Sequence, residues 1–229
     1  MKKEILVAGA TGRTGRIIVQ KLIHRGINPR ILVRDTAVVE NLFGDKAQAY
    51  LGDVREVGSL LPAMDGVDTV ISAVGAGIPV GKNCPKRVDF QGVANMVEAA
   101  RQSGVRRFIL ISSIAVTNPK HPMNCFGKVL DYKLKGENAL RDSGMDYVII
   151  RPGGLTDTPG GGKKLIFDQG DQLTGMISRS DLAETCLCVL DCPGEMRLTF
   201  EVIESETDGR ANCGDIFSSL VLDAALQRQ

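Results

Sequence analysis

Glu4-Ile5-Leu6-Val7-Ala8-Gly9-Ala10-Thr11-Gly12-Arg13-Thr14-Gly15 decides the fold. Ile5-Leu6-Val7-Ala8 is the short continuous apolar run of a strand covered on both faces, and Ile17, Ile18, Leu22 and Ile23 then recur at helical spacing. The glycines stand where side chains would obstruct. Gly9 permits a tight turn, Gly12 lets backbone approach a pyrophosphate, and Gly15 lets the new helix pack on the strand. A helix N-terminus beside them offers free N–H groups and positive dipole charge. A glycine-rich βα turn without ligand would share the triplet, but the strand before and helix after supply the context that dinucleotide binding requires.

Working outward, 229 residues suffice for one large or two small domains with a real core. A formal charge of +1, with no basic stripe interleaved with aromatics, points away from nucleic acid and anionic membranes. Met1-Lys2-Lys3 leads straight into the first strand and no apolar run approaches a membrane span, so a soluble, cytoplasmic protein acting on a small molecule is expected. The cysteines, Cys84, Cys125, Cys186, Cys188, Cys192 and Cys213, form no CxxC pairs. In a chain of this size they read as free thiols rather than disulfides, and no metal site is expected.

Pro29-Arg30-Ile31-Leu32-Val33-Arg34 reads as a second buried strand with a basic end. Asp or Glu at this place binds the ribose 2′-hydroxyl of NAD, whereas arginine accommodates the 2′-phosphate of NADP. Arg34, with Arg13 in the glycine turn as a second cation, favours NADP over NAD; paired with Asp35, Arg34 would leave the choice open. A helix over Ala37–Phe43 leads to the strand Ala47–Leu51 and to Gly52-Asp53-Val54. Asp53, at a strand's carboxyl end, suits an adenine amino group or caps the next helix, Val57–Met64. The strand Thr69–Ala73 ends in the small residues Val74-Gly75-Ala76-Gly77, past which a flat cofactor fits.

Ile78–Arg87 is a long irregular loop and a candidate part of a substrate site. A helix over Asp89–Gln102 stops at Gly104, and the strand Phe108–Ile111 ends in Ser112-Ser113, whose hydroxyls suit a substrate carbonyl or serve only the turn. His121, between two prolines, reads as a surface residue. A helix from Lys128 to Asp142 carries Tyr132, Lys133 and Glu137, and the strand Tyr147–Ile150 gives way to Arg151-Pro152-Gly153-Gly154, read as a turn that ends it. The regular alternation predicts an α/β doubly wound parallel sheet with helices on both faces. Residues 155–229 are expected as a small substrate-side cap on the single domain spanning 1–229. They are read as a flexible segment Thr158–Lys164, a hairpin over Leu165–Leu173, a helix capped by Ser180, a strand Arg197–Ile203, a polar loop Glu204–Asn212 and a final helix from Cys213 to Leu226.

With these motifs in hand the chain resembles the short-chain dehydrogenase/reductase superfamily, and more narrowly its atypical branch of NmrA-like proteins and flavin/biliverdin reductases. The resemblance rests chiefly on Gly9–Gly15, Lys133–Leu140 and Ser143–Leu155. It implies a Rossmann fold with phosphate binding by the turn Gly9, Thr11, Gly12, Arg13, Thr14 and Gly15, and an adenine contact at Asp53 and Val54. It also implies a cofactor wall at Ala73, Val74 and Gly75, with Arg151, Pro152 and Gly153 beside the cofactor. Ser112 or Ser113 would lie near the reacting carbonyl, and Lys133 on the nicotinamide ribose. Members with the full catalytic set carry a tyrosine one helical turn before the lysine; here that position is Val129, and Tyr132 is turned about 100° away from Lys133 on a helix. The implied activities are an NADPH-dependent oxidoreductase on a flavin- or quinone-like molecule, or a non-catalytic NADP-binding redox sensor or assembly factor with a protein partner. A sugar-nucleotide epimerase or dehydratase fits less well, since those enzymes keep the tyrosine and a larger carboxyl-terminal domain.

Overall fold

The computed structural model describes residues 3–209, Gly214 and 220–223. Strands and helices alternate as β1 (Ile5–Ala8), α1 (Arg13–His24), β2 (Arg30–Val33), α2 (Ala37–Phe43), β3 (Gln48–Leu51), α3 (Val57–Met64), β4 (Thr69–Ser72), α4 (Val93–Gln102), β5 (Arg107–Ile111), α5 (Val129–Arg141) and β6 (Asp146–Pro152). There follow β7 (Gly154–Thr156), β8 (Lys163–Asp168), β9 (Met176–Ser178), α6 (Arg179–Asp191) and β10 (Arg197–Asp208).

The apolar run of β1 works because successive side chains leave a strand on opposite faces. Ile5 and Val7 join Ile31, Ile71 and Ile109 under α1, α2 and α6, while Leu6 and Ala8 join Leu32, Val70 and Phe108 under α3, α4 and α5. Both faces of β1 are therefore dry, and its neighbours are parallel on both sides. The main sheet runs β3-β2-β1-β4-β5-β6-β10-β8, with only β8 antiparallel, and β7 pairs with β9 in a separate two-stranded sheet. The chain moves outward from β1 in one direction and then returns to continue from β4 in the other. The crevice between the carboxyl ends of β1 and β4 is thus the switch point at which such sheets bind ligands.

The tail departs from the sequence reading in several places. β6 runs through Arg151 and Pro152 instead of stopping at Ile150. The Pro152 carbonyl accepts from the Ile114 N–H at 3.1 Å, beyond the end of β5, so the donor that proline lacks faces a side where the ladder has ended. The expected hairpin is absent: β8 pairs with β10, and Gln172-Leu173 is not strand. β10 extends to Asp208, through most of the expected polar loop. Helix α6 is capped by Ser178, not Ser180; the extended backbone of Ser178 ends β9, and its hydroxyl accepts from the Asp181 N–H at 3.0 Å. Of the expected cap, β8 and β10 widen the main sheet and α6 packs beside α1. The predicted helix from Cys213 to Leu226 lies largely outside the described residues. Cys84, Cys125, Cys186 and Cys192 are free thiols, but Cys188 is disulfide-bonded, against expectation. The predicted helix over Asp89–Gln102 begins earlier and differently: a π-helical turn, Lys86–Gly92, precedes α4.

Candidate functional site

The glycine turn has little room for side chains. Gly9 takes a left-handed φ of +81°, and a Cβ there would lie 2.6 Å from the carbonyl carbon and oxygen of Ala73, just after β4. Gly12 N-caps α1 with extended backbone and no side-chain cap, and its N–H donates to the Gly9 carbonyl at 3.0 Å. The first turn of α1 holds no acidic residue, which leaves its N–H groups and positive dipole end available to an anion. At Gly15 a Cβ would collide with the Gly9 carbonyl oxygen, so the bare backbone sets how closely α1 approaches the turn. A cradle without side chains at a helix N-terminus fits a pyrophosphate.

Two cavities open at the carboxyl ends of the strands. The first, about 390 Å³, is lined by Gly9, Thr11 and Gly12, by Arg34 after β2, by Asp53 and Val54 after β3, and by Ala73, Val74 and Gly75 after β4. The second, about 720 Å³, is lined by Thr14, Ser112, Ser113, Lys133, Pro152 and Gly153, and again by Ala73, Val74 and Gly75. The strap after β4 is thus the common wall, and the two cavities together form a trough across the switch point.

In the first cavity Arg34 Nη1 donates to Asn83 Oδ1 at 3.3 Å. Asp35 makes no ion pair with it; its Oδ1 accepts the Ala37 N–H at 3.0 Å. Asp53 is clamped by Arg55, whose Nε donates to Oδ1 at 2.8 Å and whose Nη2 donates to Oδ2. Those hydrogen bonds hold the Asp53 carboxyl below its ordinary range against the opposing effect of burial. Asp53 does not cap α3, whose N-cap is Glu56.

In the second cavity Ser112 is 6% exposed, and its Oγ finds no partner among the described protein groups. Lys133 Nζ lies 2.8 Å from Oδ1 of the buried Asp89. His121, expected at the surface, is half-buried and lines this cavity, its Nδ1 accepting from the Met123 N–H at 3.3 Å. The opposite wall is Asp171–Gly175. There Asp171 accepts from the Thr117 N–H at 2.8 Å and hydroxyl at 2.6 Å, and the buried Glu201 accepts from the Leu173 N–H at 2.6 Å.

The trough does not include every residue expected in it. Arg13 leans outward to Asp157 at 2.9 Å; the same carboxylate takes Arg179 at 2.7 Å, and it is Arg179 that lines the second cavity. Gly15 lies beneath the turn. Arg151 is buried and committed to Glu137 at 2.7 Å and 3.1 Å, so it braces β6 against α5 and lines neither cavity. Tyr132 is absent from the cavity walls, and Val129 is buried beside Val116 and Leu130. Asn83, Arg55, Asp89, Asp171 and Arg179 were missed. They arrive from the turn between β3 and α3, the long loop, the π-helical turn and the tail, where no periodic pattern marks them.

No helix among the described residues is long and apolar enough to cross a membrane. The NAD(P)H-binding family model matches residues 9–193. An uncharacterised chloroplastic protein of Arabidopsis thaliana is 36% identical over 81% of this chain and 65% of its own length, so this chain spans about two thirds of that relative. Its chloroplastic name lends the expected cytoplasmic location no support. The sanguinarine reductase of Eschscholzia californica is 29% identical over 96% of this chain and 95% of its own. Among solved structures, a putative NAD-dependent epimerase/dehydratase from Bacillus halodurans superposes with a TM-score of 0.78 at 27% identity, covering 90% of this chain and 96% of that one. Sheet order, glycine cradle and these matches agree: the chain belongs to the NAD(P)H-binding family.

Proposed function

We propose that this protein is an NADPH-dependent reductase of small conjugated acceptors, flavin-like or quinone-like. The observation that carries the reading is the pair of adjoining cavities that share the Ala73–Gly75 wall, with Arg34 in the first, Ser112 and Lys133 in the second, and no tyrosine one turn before the lysine. The N–H groups at the start of α1 would hold the pyrophosphate, Arg34 the 2′-phosphate, and Lys133 the nicotinamide ribose. Arg34 is engaged by a neutral amide and not by Asp35, which leaves its charge for an anion. The nicotinamide, when bound, supplies a hydride.

The chain's own residues contribute position and exclusion of water. Ile111, Ile114, Leu155 and Leu173 give the second cavity apolar walls for a flat ring, and the Ser112 hydroxyl is a donor for a carbonyl on that ring. A conjugated acceptor spreads the arriving negative charge over its own π-system, so little acid help is needed and orientation supplies most of the rate. The relative named a sanguinarine reductase supports the reductase class. The test is to mix purified protein with NADPH or NADH and a panel of flavins and quinones and follow loss of the reduced nicotinamide. Oxidation with NADPH preferred is expected; no oxidation above background with any acceptor overturns the reading.

A second reading, a non-catalytic NADP-binding redox sensor or assembly factor, draws on the ion pairs from Asp157 to Arg13 and Arg179. These link the cofactor turn to the segment leading into Thr158–Lys164. Pull-downs with oxidised and reduced cofactor should then recover different partners; identical sets would count against it.

A further inference from the structure

We infer that Asp89 is the positioning residue of this site: its one carboxylate fixes both the ammonium of Lys133 and the strap that separates the two cavities. The inference rests on the reading of Lys133 as a cofactor ligand. Asp89 is 2% exposed, and a carboxylate so buried must find partners. One oxygen lies 2.8 Å from Lys133 Nζ, and the other accepts the Ala76 N–H at 3.0 Å, at the end of the strap that begins with Ala73. The contact is an ion pair and not a hydrogen bond, since this Asp89 oxygen has no hydrogen-bond partner among the described residues, so the three donors of the ammonium remain for the cavity that Lys133 lines.

The local structure is arranged to bring these groups together. Asp89 sits in the π-helical turn Lys86–Gly92, and π-bulges recur where a helix must re-aim a side chain at a functional site. Lys133 and Gly136 are three residues apart on α5 and so share a face. At Gly136 a side chain would collide with the Asp89 carbonyl oxygen. The glycine admits the backbone of the turn, and the lysine meets its carboxylate. In a site without the tyrosine, the placement of Lys133 therefore rests on α4's leading turn and not on a neighbour within α5.

The test is a double-mutant cycle on the full chain, read by NADPH affinity from nucleotide fluorescence and by thermal midpoint. Asp89→Asn keeps the size of the side chain and an oxygen for Ala76 but removes the charge. D89N alone should weaken NADPH binding about tenfold, the scale of one hydrogen bond to a charged group. K133M should weaken it similarly, and D89N/K133M should be no weaker than K133M, because Asp89 acts through the lysine. A further loss in the double variant, or full affinity in D89N, overturns the inference. If D89N does not fold, K133M against D89N/K133M, in which neither charge is left alone, decides the same point. Affinity separates this inference from the proposed activity: a wild-type protein that binds NADPH but reduces no acceptor defeats the reductase reading and leaves the cycle intact.

Discussion

Gly9 and Ala73 meet across the switch point so closely that a Cβ on the glycine would lie 2.6 Å from the alanine carbonyl, on backbone already at φ +81°. Alanine at position 9 must therefore bear the left-handed penalty, roughly 1–2 kcal/mol, and also push β1 from β4 where both cavities begin. Gly9→Ala should lower the thermal midpoint and abolish nucleotide binding. An unchanged midpoint with intact NADPH affinity would show that the crevice is looser than this contact implies.

Arg34 supplies the prediction that separates the two nicotinamide cofactors. If its guanidinium meets a 2′-phosphate, Arg34→Ala should weaken NADPH about tenfold or more and leave NADH nearly unchanged. Equal losses for both would mean that Arg34 only holds the loop through Asn83. Asn83→Ala is the control, and should shift both affinities together.

The sheet and the glycine cradle were legible because each is local. The run Ile5–Ala8 must bury both faces, and the positions of Gly9, Gly12 and Gly15 are set within one turn. Ser112 and the Ala73–Gly75 strap were read from strand ends, and Lys133 came from the family resemblance. Asp89 and Asp171 were not legible. One is aimed by a π-helical turn that has no sequence period, and the other stands at a left-handed φ of +63° in a tail segment that reads as a hairpin. Arg151 misled because the sequence shows its proline neighbour but not the buried Glu137 that holds it. Long-range polar pairing of this kind is set by the fold, after the local pattern has acted.

Asp53 and Arg55 make the acid side of stability testable. Hydrogen bonds from Arg55 place the folded Asp53 carboxyl below its ordinary value of 3.8. The stabilisation is present above the unfolded value and is lost as pH falls through the folded one, because only the unfolded chain readily takes up the proton in that window. Arg55→Met should raise the pH at which acid unfolds the protein, followed by far-ultraviolet circular dichroism. Coincident acid transitions for the two proteins would show that the pair is too solvated to matter.

Glu201 governs the wall of the second cavity. It is fully buried and accepts from the backbone of Asp171 and, at 2.6 Å, of Leu173, while Asp171 in turn grips the chain at Ala115 and Thr117, just beyond Ser112-Ser113. Both oxygens of Glu201 face donors, so Glu201→Gln sets an amide N–H against a backbone N–H and leaves a buried donor unpaired, at a cost of about 1–3 kcal/mol. Hydrogen exchange should quicken across Asp171–Gly175 more than in β1 or β4. Because these residues line only the second cavity, the variant should raise the KM of the acceptor while the affinity for NADPH holds. A loss of NADPH affinity with an unchanged acceptor KM would place the segment over the cofactor instead of the substrate.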